Sequence, residues 1–378
     1  MTDLRSEPEQ RTTPTPLATR VVDHGAIAHN VRTLLDRAQR PVMAVVKADA
    51  FGHGSVEVAR TALDAGAAWL GVATVEEALE LRAAGIRAPV FAWLIDAWCD
   101  LDAAIAAGVT LSCATAESLF AIEHASARLG LRADVHLELD TGMARGGSTV
   151  ELWHELCLAA AQLERLGHVR VSGIWSHLAL AALPGDEHVA LPLWALKLGE
   201  ATARSAGLHP AHVHLANSAG ALAHPSVALT MVRAGAAVYG IETVDGVLTG
   251  LEPTLRLTSR VTQVRAVAAG TGVGYLHTYR TPRATTLALV PLGYGDGVPR
   301  DLAGSVVING RRCPIRGTVS MDQFVVEVGP ETQVGDEVVL LGDPRAGEPG
   351  VGDWAAATGT IAHEIFTSLG RRITRVHA

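Results

Sequence analysis

The chain has 378 residues, enough for two or three domains, and its 48% hydrophobic and 19% charged content is a soluble, globular balance. Its formal net charge of -8 argues against a nucleic-acid partner, which would call for a basic face, and no apolar run is long enough to cross a bilayer. Cys99, Cys113, Cys157 and Cys313 form no CxxC pair and no metal spacing, so they read as small core residues in a reducing compartment, and no metal is expected.

Taken in order, residues 1–20 are polar and proline-bearing, with no apolar core for a signal peptide. A disordered tail and a cytoplasmic location are expected. A helix follows at 27–37, with Ile27, Val31, Leu34 and Leu35 on one face. Eight strand-like runs then alternate with helical stretches, at 41–47, 69–73, 89–93, 109–113, 134–140, 169–177, 211–217 and 231–235. Thr74 with Glu77 has the spacing of a capping box, and Thr115 is a second N-cap. This alternation over 21–250 is the pattern of a (β/α)8 TIM-type barrel. The alternative, a doubly wound open sheet, lacks a glycine-rich dinucleotide fingerprint. From 251 to 378 the texture changes to strands at 255–268, 285–292, 305–308, 323–328 and 334–341, divided by Gly and Pro turns, which reads as a separate C-terminal β domain.

In a barrel the chemistry sits where strands end. The first strand runs through five apolar residues, Val42 to Val46, into Lys47. Lys47 and Lys197 are the only lysines among 31 basic residues, so arginine serves wherever charge alone is needed. A lysine ending a buried strand is costly to charge, its amine becomes nucleophilic, and a Schiff base with an aldehyde cofactor is the matching chemistry. The fifth strand delivers Asp140 and the loop TGMARGG with Arg145, and the sixth delivers His177. The seventh ends in Asn217 and Ser218 at a helix start, and the eighth carries Arg233 followed by Gly235. Ser218 and Gly235 stand where barrels commonly cradle a phosphate.

These motifs together resemble the bacterial alanine racemases, fold-type III pyridoxal phosphate enzymes. AVVKADAFGHG is similar to the family's cofactor-lysine motif and LDTGMARGG to its central loop, and ANSAG, MVRAGAAVYG, VGYLHTY, LGYGDG and TVSMDQ follow in the family's order. The resemblance implies pyridoxal 5'-phosphate as cofactor, a small amino acid as substrate, and a homodimer with active sites shared between barrel and partner β domain. It implies that Lys47 carries the cofactor and moves the α-proton on one face, while Tyr275 from the other subunit works on the opposite face. Arg233 would meet the pyridine nitrogen; a guanidinium does not readily release its proton, so the ring is a weaker electron sink than in transaminases. His177 would pack on the ring, with Asn217, Ser218, Gly235, Tyr239 and His363 among the cofactor holders. Arg145, Tyr294, Met321 and Asp322 would line the substrate side.

Three positions depart from the pattern. Phe51 stands where a tyrosine is usual, and His363 stands where many members have a second phosphate-facing tyrosine. Glu138 replaces a carbamylated lysine, and its carboxylate is expected to reach Arg145. The resulting expectation is an alanine racemase with a two-base mechanism. The alternatives are a racemase for another small amino acid and a non-catalytic pyridoxal phosphate-binding protein. A fold-type III decarboxylase is disfavoured because Arg233, not an acid, would face the pyridine nitrogen.

Overall fold

The computed structural model describes residues 16–378, apart from 97, 184, 186 and 245. Strand β1 (Ala18–Val22) opens the described chain. The eight expected barrel strands follow as β2 (Val42–Val45), β3 (Trp69–Val72), β4 (Val90–Ala92), β5 (Thr110–Cys113), β6 (Ala133–Glu138), β7 (Val169–Trp175), β8 (His212–His214) and β9 (Val232–Ala234). All pair in parallel in the order β8-β7-β6-β5-β4-β3-β2-β9. The two ends of this sheet approach closely: the Arg233 amide donates to Ala216 O at 2.9 Å and the Thr230 amide to Val213 O at 3.1 Å, so the barrel is nearly closed. Burial on both faces explains the apolar runs; every residue of β2, β4, β5 and β9 is buried. The Thr74–Glu77 capping box forms as expected, starting the helix Val75–Ala83.

The second sheet contains β10 (Leu255–Arg260), β11 (Gln263–Val267), β14 (Thr285–Val290), β15 (Ser305–Ile308), β16 (Arg311–Arg316), β17 (Phe324–Val328), β18 (Glu337–Leu341) and β19 (Thr374–His377), after the short hairpin β12 (Gly272–Val273) and β13 (Tyr279–Arg280) is set apart. The strand expected at 255–268 is two strands. β10 pairs with β18 on one side and β11 with β14 on the other. The tail reading also changes. Residues 1–15 lie outside the described residues, but Ala18–Arg20 belong to β1, which is antiparallel to β10 and parallel to β19. Polar composition did not reveal this strand, because its partners lie more than two hundred residues away. The C-terminal region also holds two helices, Val351–Thr358 and Ala362–Ser368, and the second packs against the turn that follows Lys47. Among the described residues no helix is long and apolar enough to cross a membrane.

Candidate active site

Beyond β2 the backbone turns the wrong way. Ala48, Asp49, Ala50 and Phe51 all have φ between 52° and 54°, a left-handed turn made without glycine. For L-residues this conformation costs roughly 1–2 kcal/mol each, so contacts from elsewhere must hold it. The Ala48 amide donates to Glu77 Oε1 at 2.6 Å. Asp49 accepts the Ser55 amide at 3.0 Å and pairs with Arg375 from β19. His53, fully buried, contacts Phe51 O and Thr254 Oγ1, each at 3.0 Å. Gly52 is obligatory, since a Cβ there would stand 2.8 Å from Phe366 O. The turn aims Lys47, at the end of an apolar strand, into the barrel mouth.

A cavity of about 730 Å³ opens there, and it gathers Lys47, Arg145, His177, Asn217, Ser218, Arg233, Gly235, Tyr239 and His363 in its wall. Lys47 Nζ lies 5.4 Å from the centroid of the Trp93 ring. Burial lowers its pKa, the Arg145 charge lowers it further, and Glu77 opposes them. Arg233 is 5% exposed and stacks 4.9 Å from the Trp175 ring. Its guanidinium donates to Ser176 O at 2.7 Å and Leu215 O at 3.3 Å, and meets the Nδ1 atoms of His214 at 2.9 Å and His177 at 3.2 Å. Burial draws it down to about 9, so it stays charged at neutral pH. Burial and the neighbouring Arg233 charge push His177 down to about 3, which keeps its ring neutral and able to accept.

Ser218 Oγ accepts the amides of Gly235 at 3.1 Å and Ala237 at 3.2 Å. Its own hydrogen has no acceptor among the described residues and is free for a ligand. Gly235 is the floor of this cradle, because a Cβ there would stand 3.2 Å from Phe51 Cζ and 3.4 Å from Val45 Cβ. Asn217 supports the cradle as an N-cap: it accepts the Gly220 amide at 3.0 Å and donates to Leu178 O at 3.2 Å. Tyr239 commits its hydroxyl hydrogen to Val45 O at 2.8 Å and stacks on Phe51 at 4.5 Å between centroids. His363 comes from the C-terminal helix Ala362–Ser368, and its buried Nδ1 has no partner among the described residues. Burial, then the Lys47 charge, lowers its pKa.

Asp140 shapes the loop that carries Arg145 by accepting the amides of Gly142 and Met143, both at 2.9 Å, and of Ala144. The expected Glu138–Arg145 ion pair does not form among the described residues. The Glu138 carboxylate instead lies against Gly146, where a Cβ would be 3.2 Å from Oε1. Burial pushes it up to about 7, with Arg233 and Arg145 holding it down and Asp140 adding to the rise. Lys47, Arg145 and Arg233 line the cavity with Glu242 as the acidic residue in its wall, a balance that favours an anionic ligand.

The remaining expected residues lie elsewhere on the chain. Tyr275 is 68% exposed and lines a shallow hollow with Met321 and Asp322. Tyr294 stands beside it because the amides of Tyr294 and Gly295 donate to Ser320 O at 3.0 Å and Met321 O at 2.9 Å. Asp322 pairs with Arg372 at 2.7 Å. The sequence reading missed Trp93 and Trp175, the aromatic walls beside Lys47 and Arg233, and also Glu77 and His214. Trp175 could have been found from its position two residues before His177, and His214 from its place at a strand end.

The residues present suit pyridoxal phosphate. A weakly basic amine, an unspent hydroxyl over a glycine floor, an orphaned imidazole nitrogen and two guanidinium groups converge on one cavity. Comparison with known proteins agrees. Residues 22–243 match the family described as alanine racemase, N-terminal domain, and residues 254–377 match alanine racemase, C-terminal domain. The chain is 46% identical over 363 residues to the alanine racemase of Frankia casuarinae, covering 94% of both chains. The solved alanine racemase of Streptomyces lavendulae superposes with a TM-score of 0.94 at 41% identity, covering 97% of this chain and 98% of that one. That of Streptomyces coelicolor gives 0.93 at 40% identity, covering 96% and 98%.

Proposed function

The chain belongs to the alanine racemase family, and from that premise we propose that it is an enzyme interconverting L-alanine and D-alanine with pyridoxal phosphate as cofactor. The observation that carries this reading is the half-buried Lys47 amine at the end of β2, in a cavity shared with Arg145, Arg233 and the unspent Ser218 hydroxyl. When bound, pyridoxal phosphate supplies the electron sink that acidifies the α-hydrogen of an attached amino acid.

This chain's residues would do the rest. Lys47, its pKa lowered mainly by burial, exchanges a proton with the α-carbon on one face. Ser218 and the Gly235 floor hold the phosphate, with the His363 Nδ1 available beside them. Arg233 meets the ring nitrogen with a charge that is retained at neutral pH, so that nitrogen is not protonated from this side. His177 and Trp175 wall the ring, and Arg145 attracts the substrate carboxylate.

Racemisation needs a second base on the opposite face, and among the described residues the tyrosine lining the cavity, Tyr239, gives its hydroxyl hydrogen to Val45 O. Tyr275 would serve a neighbour's barrel; its exposure on the β domain, with Tyr294, Met321 and Asp322, supports this reading. A homodimer with two shared sites supplies it.

The test is incubation of the protein with pyridoxal phosphate and L-alanine in heavy water. Deuterium at the α-carbon, appearing with D-alanine, is expected. Lys47→Ala abolishes turnover, and Tyr275→Phe slows the two directions unequally. Mixing the Lys47→Ala and Tyr275→Phe chains restores activity, because one of the two mixed-dimer sites is then intact. L-Serine turned over faster than L-alanine would replace the substrate assignment, and binding without exchange would leave a cofactor-binding protein.

A further inference from the structure

Below the active-site mouth a polar line runs down the barrel interior. Arg233 Nη1 meets His214 Nδ1 at 2.9 Å, and His214 Nε2 meets His136 Nδ1 at 2.9 Å. His136 and His214 are fully buried. The sequence makes specific room for the lower ring. The β6–β7 ladder shifts register between Val135 and His136, and Gly173 of β7 stands beside the imidazole, where a Cβ would be 2.5 Å from His136 Cδ2. Any other residue at 173 would expel the ring.

The direction of this line follows from donor chemistry alone. A guanidinium only donates. His214 Nδ1 must therefore accept, so His214 carries its proton on Nε2. That proton needs an acceptor, so His136 Nδ1 accepts and His136 is protonated on Nε2. His136 Nε2 is buried with no partner among the described residues, the open end of the line. Among the described residues Arg233 makes no hydrogen bond to a carboxylate; its partners are two histidine nitrogens and two backbone carbonyls. Glu138 acts on it through charge alone, so its orientation depends on acceptors that stay acceptors.

We propose that His136 is a positioning residue for Arg233: by accepting from His214 it locks His214 in the Nε2–H tautomer, and so keeps the guanidinium aimed at the cavity. Without His136, the His214 Nε2–H would lose its buried acceptor. The alternative tautomer, which places Nδ1–H against the guanidinium, would gain population and turn Arg233 away. Burial, reinforced by His212 and Arg233, pushes His136 down to about 3, and burial with Arg233 lowers His214 well below its ordinary value; both rings stay neutral. Arg170, His212 and Asp134 are the other charged groups near the lower rim.

The significance for the cofactor ring rests on the function proposed above, but the lock is testable apart from it. Histidine-labelled protein, both cofactor-free and loaded with pyridoxal phosphate, is examined by long-range proton–nitrogen NMR between pH 6 and 8. His136 and His214 are expected as neutral Nε2–H tautomers throughout. In His136→Leu the His214 nitrogens shift toward a tautomer mixture, and the dissociation constant for pyridoxal phosphate rises about tenfold. His136→Gln, whose amide oxygen can accept, brings both back to within about threefold. An Nδ1–H or doubly protonated His136 or His214 in the unaltered protein would overturn the proposal, even if His136→Leu failed to fold. So would a His136→Leu protein with unchanged His214 signals and unchanged cofactor affinity. Loss of alanine turnover in the unaltered protein would instead strike the function reading and leave the tautomers to decide the relay.

Discussion

Glu77 accepts the backbone amide of Ala48 at 2.6 Å, and so fixes the residue that follows the active-site lysine. The same carboxylate accepts the amides of Ala73 at 2.7 Å and Thr74 at 3.3 Å. One side chain therefore caps a barrel helix and restrains the left-handed turn from Lys47. Hydrogen bonds to a charged group are each worth about 1.5–3 kcal/mol. Glu77→Ala is expected to cost about 2 kcal/mol in stability, read as a lower urea midpoint. It should also lower kcat about tenfold with little change in KM, because the lysine loses its aim while the cradle stays intact. Glu77→Gln, which keeps one acceptor oxygen, should show the smaller loss in both.

His53 gives a pH dependence of defined sign. Its pKa falls from 6.5 to about 4, mainly through burial, so the folded chain rejects a proton that the unfolded chain takes. The stability tied to its neutral form is complete above pH 6.5 and is lost as pH falls toward 4. From pH 7 to pH 5 this amounts to about 2 kcal/mol. His53→Gln should be less stable than the unaltered protein at pH 7, and the gap should narrow by about that amount at pH 5. A gap independent of pH would mean that His53 takes up its proton equally readily in the folded and unfolded chains.

Glu138 works in the opposite sense. Its folded value of about 7, against 4.5 as an ordinary carboxyl, means that the folded chain holds a proton the unfolded chain releases. Its contribution is full below pH 4.5 and lost as pH rises through 7, by at most about 3 kcal/mol. Glu138→Gln has no such ionisation. Relative to the unaltered protein it should gain up to that amount between pH 4.5 and pH 7.5, measured by urea unfolding at fixed ionic strength.

These residues also mark how far the site could be read in advance. Lys47, Ser218, Arg233 and Gly235 were legible because a buried parallel strand writes its end into the sequence as a break in an apolar run. The turn at Ala48–Phe51 was not. Alanine has no preference for positive φ, and the turn is held by Glu77 and Arg375, distant in sequence, together with His53 and Ser55 just beyond it. Strand β1 escaped for a related reason, since its polar residues pair with β10 and β19 at the far end of the chain. The expected contact of Glu138 with Arg145 does not form, because the glycine at 146 lets the carboxylate settle against the loop backbone.

Phe51 offers the sharpest test of the cradle. Its ring stacks on Tyr239 at 4.5 Å and lies 5.4 Å from the His363 ring, and its Cζ stands 3.2 Å from where a Gly235 Cβ would be. A hydroxyl placed on that Cζ would therefore enter the space bounded by Gly235 and His363, where a phosphate is proposed to sit. The aromatic body is already seated and buried. One added hydrogen bond to a phosphate is worth about 1.5 kcal/mol or more. Phe51→Tyr should tighten pyridoxal phosphate binding about tenfold, measured by fluorescence titration of cofactor-free protein. Phe51→Leu should loosen it, since the stack on Tyr239 that supports the glycine floor is lost. The Phe51→Tyr gain should shrink when phosphate-free pyridoxal is the ligand, which separates a bond to the phosphate from a general improvement in packing. Equal gains for both ligands would place the phosphate somewhere other than the Ser218–Gly235 cradle.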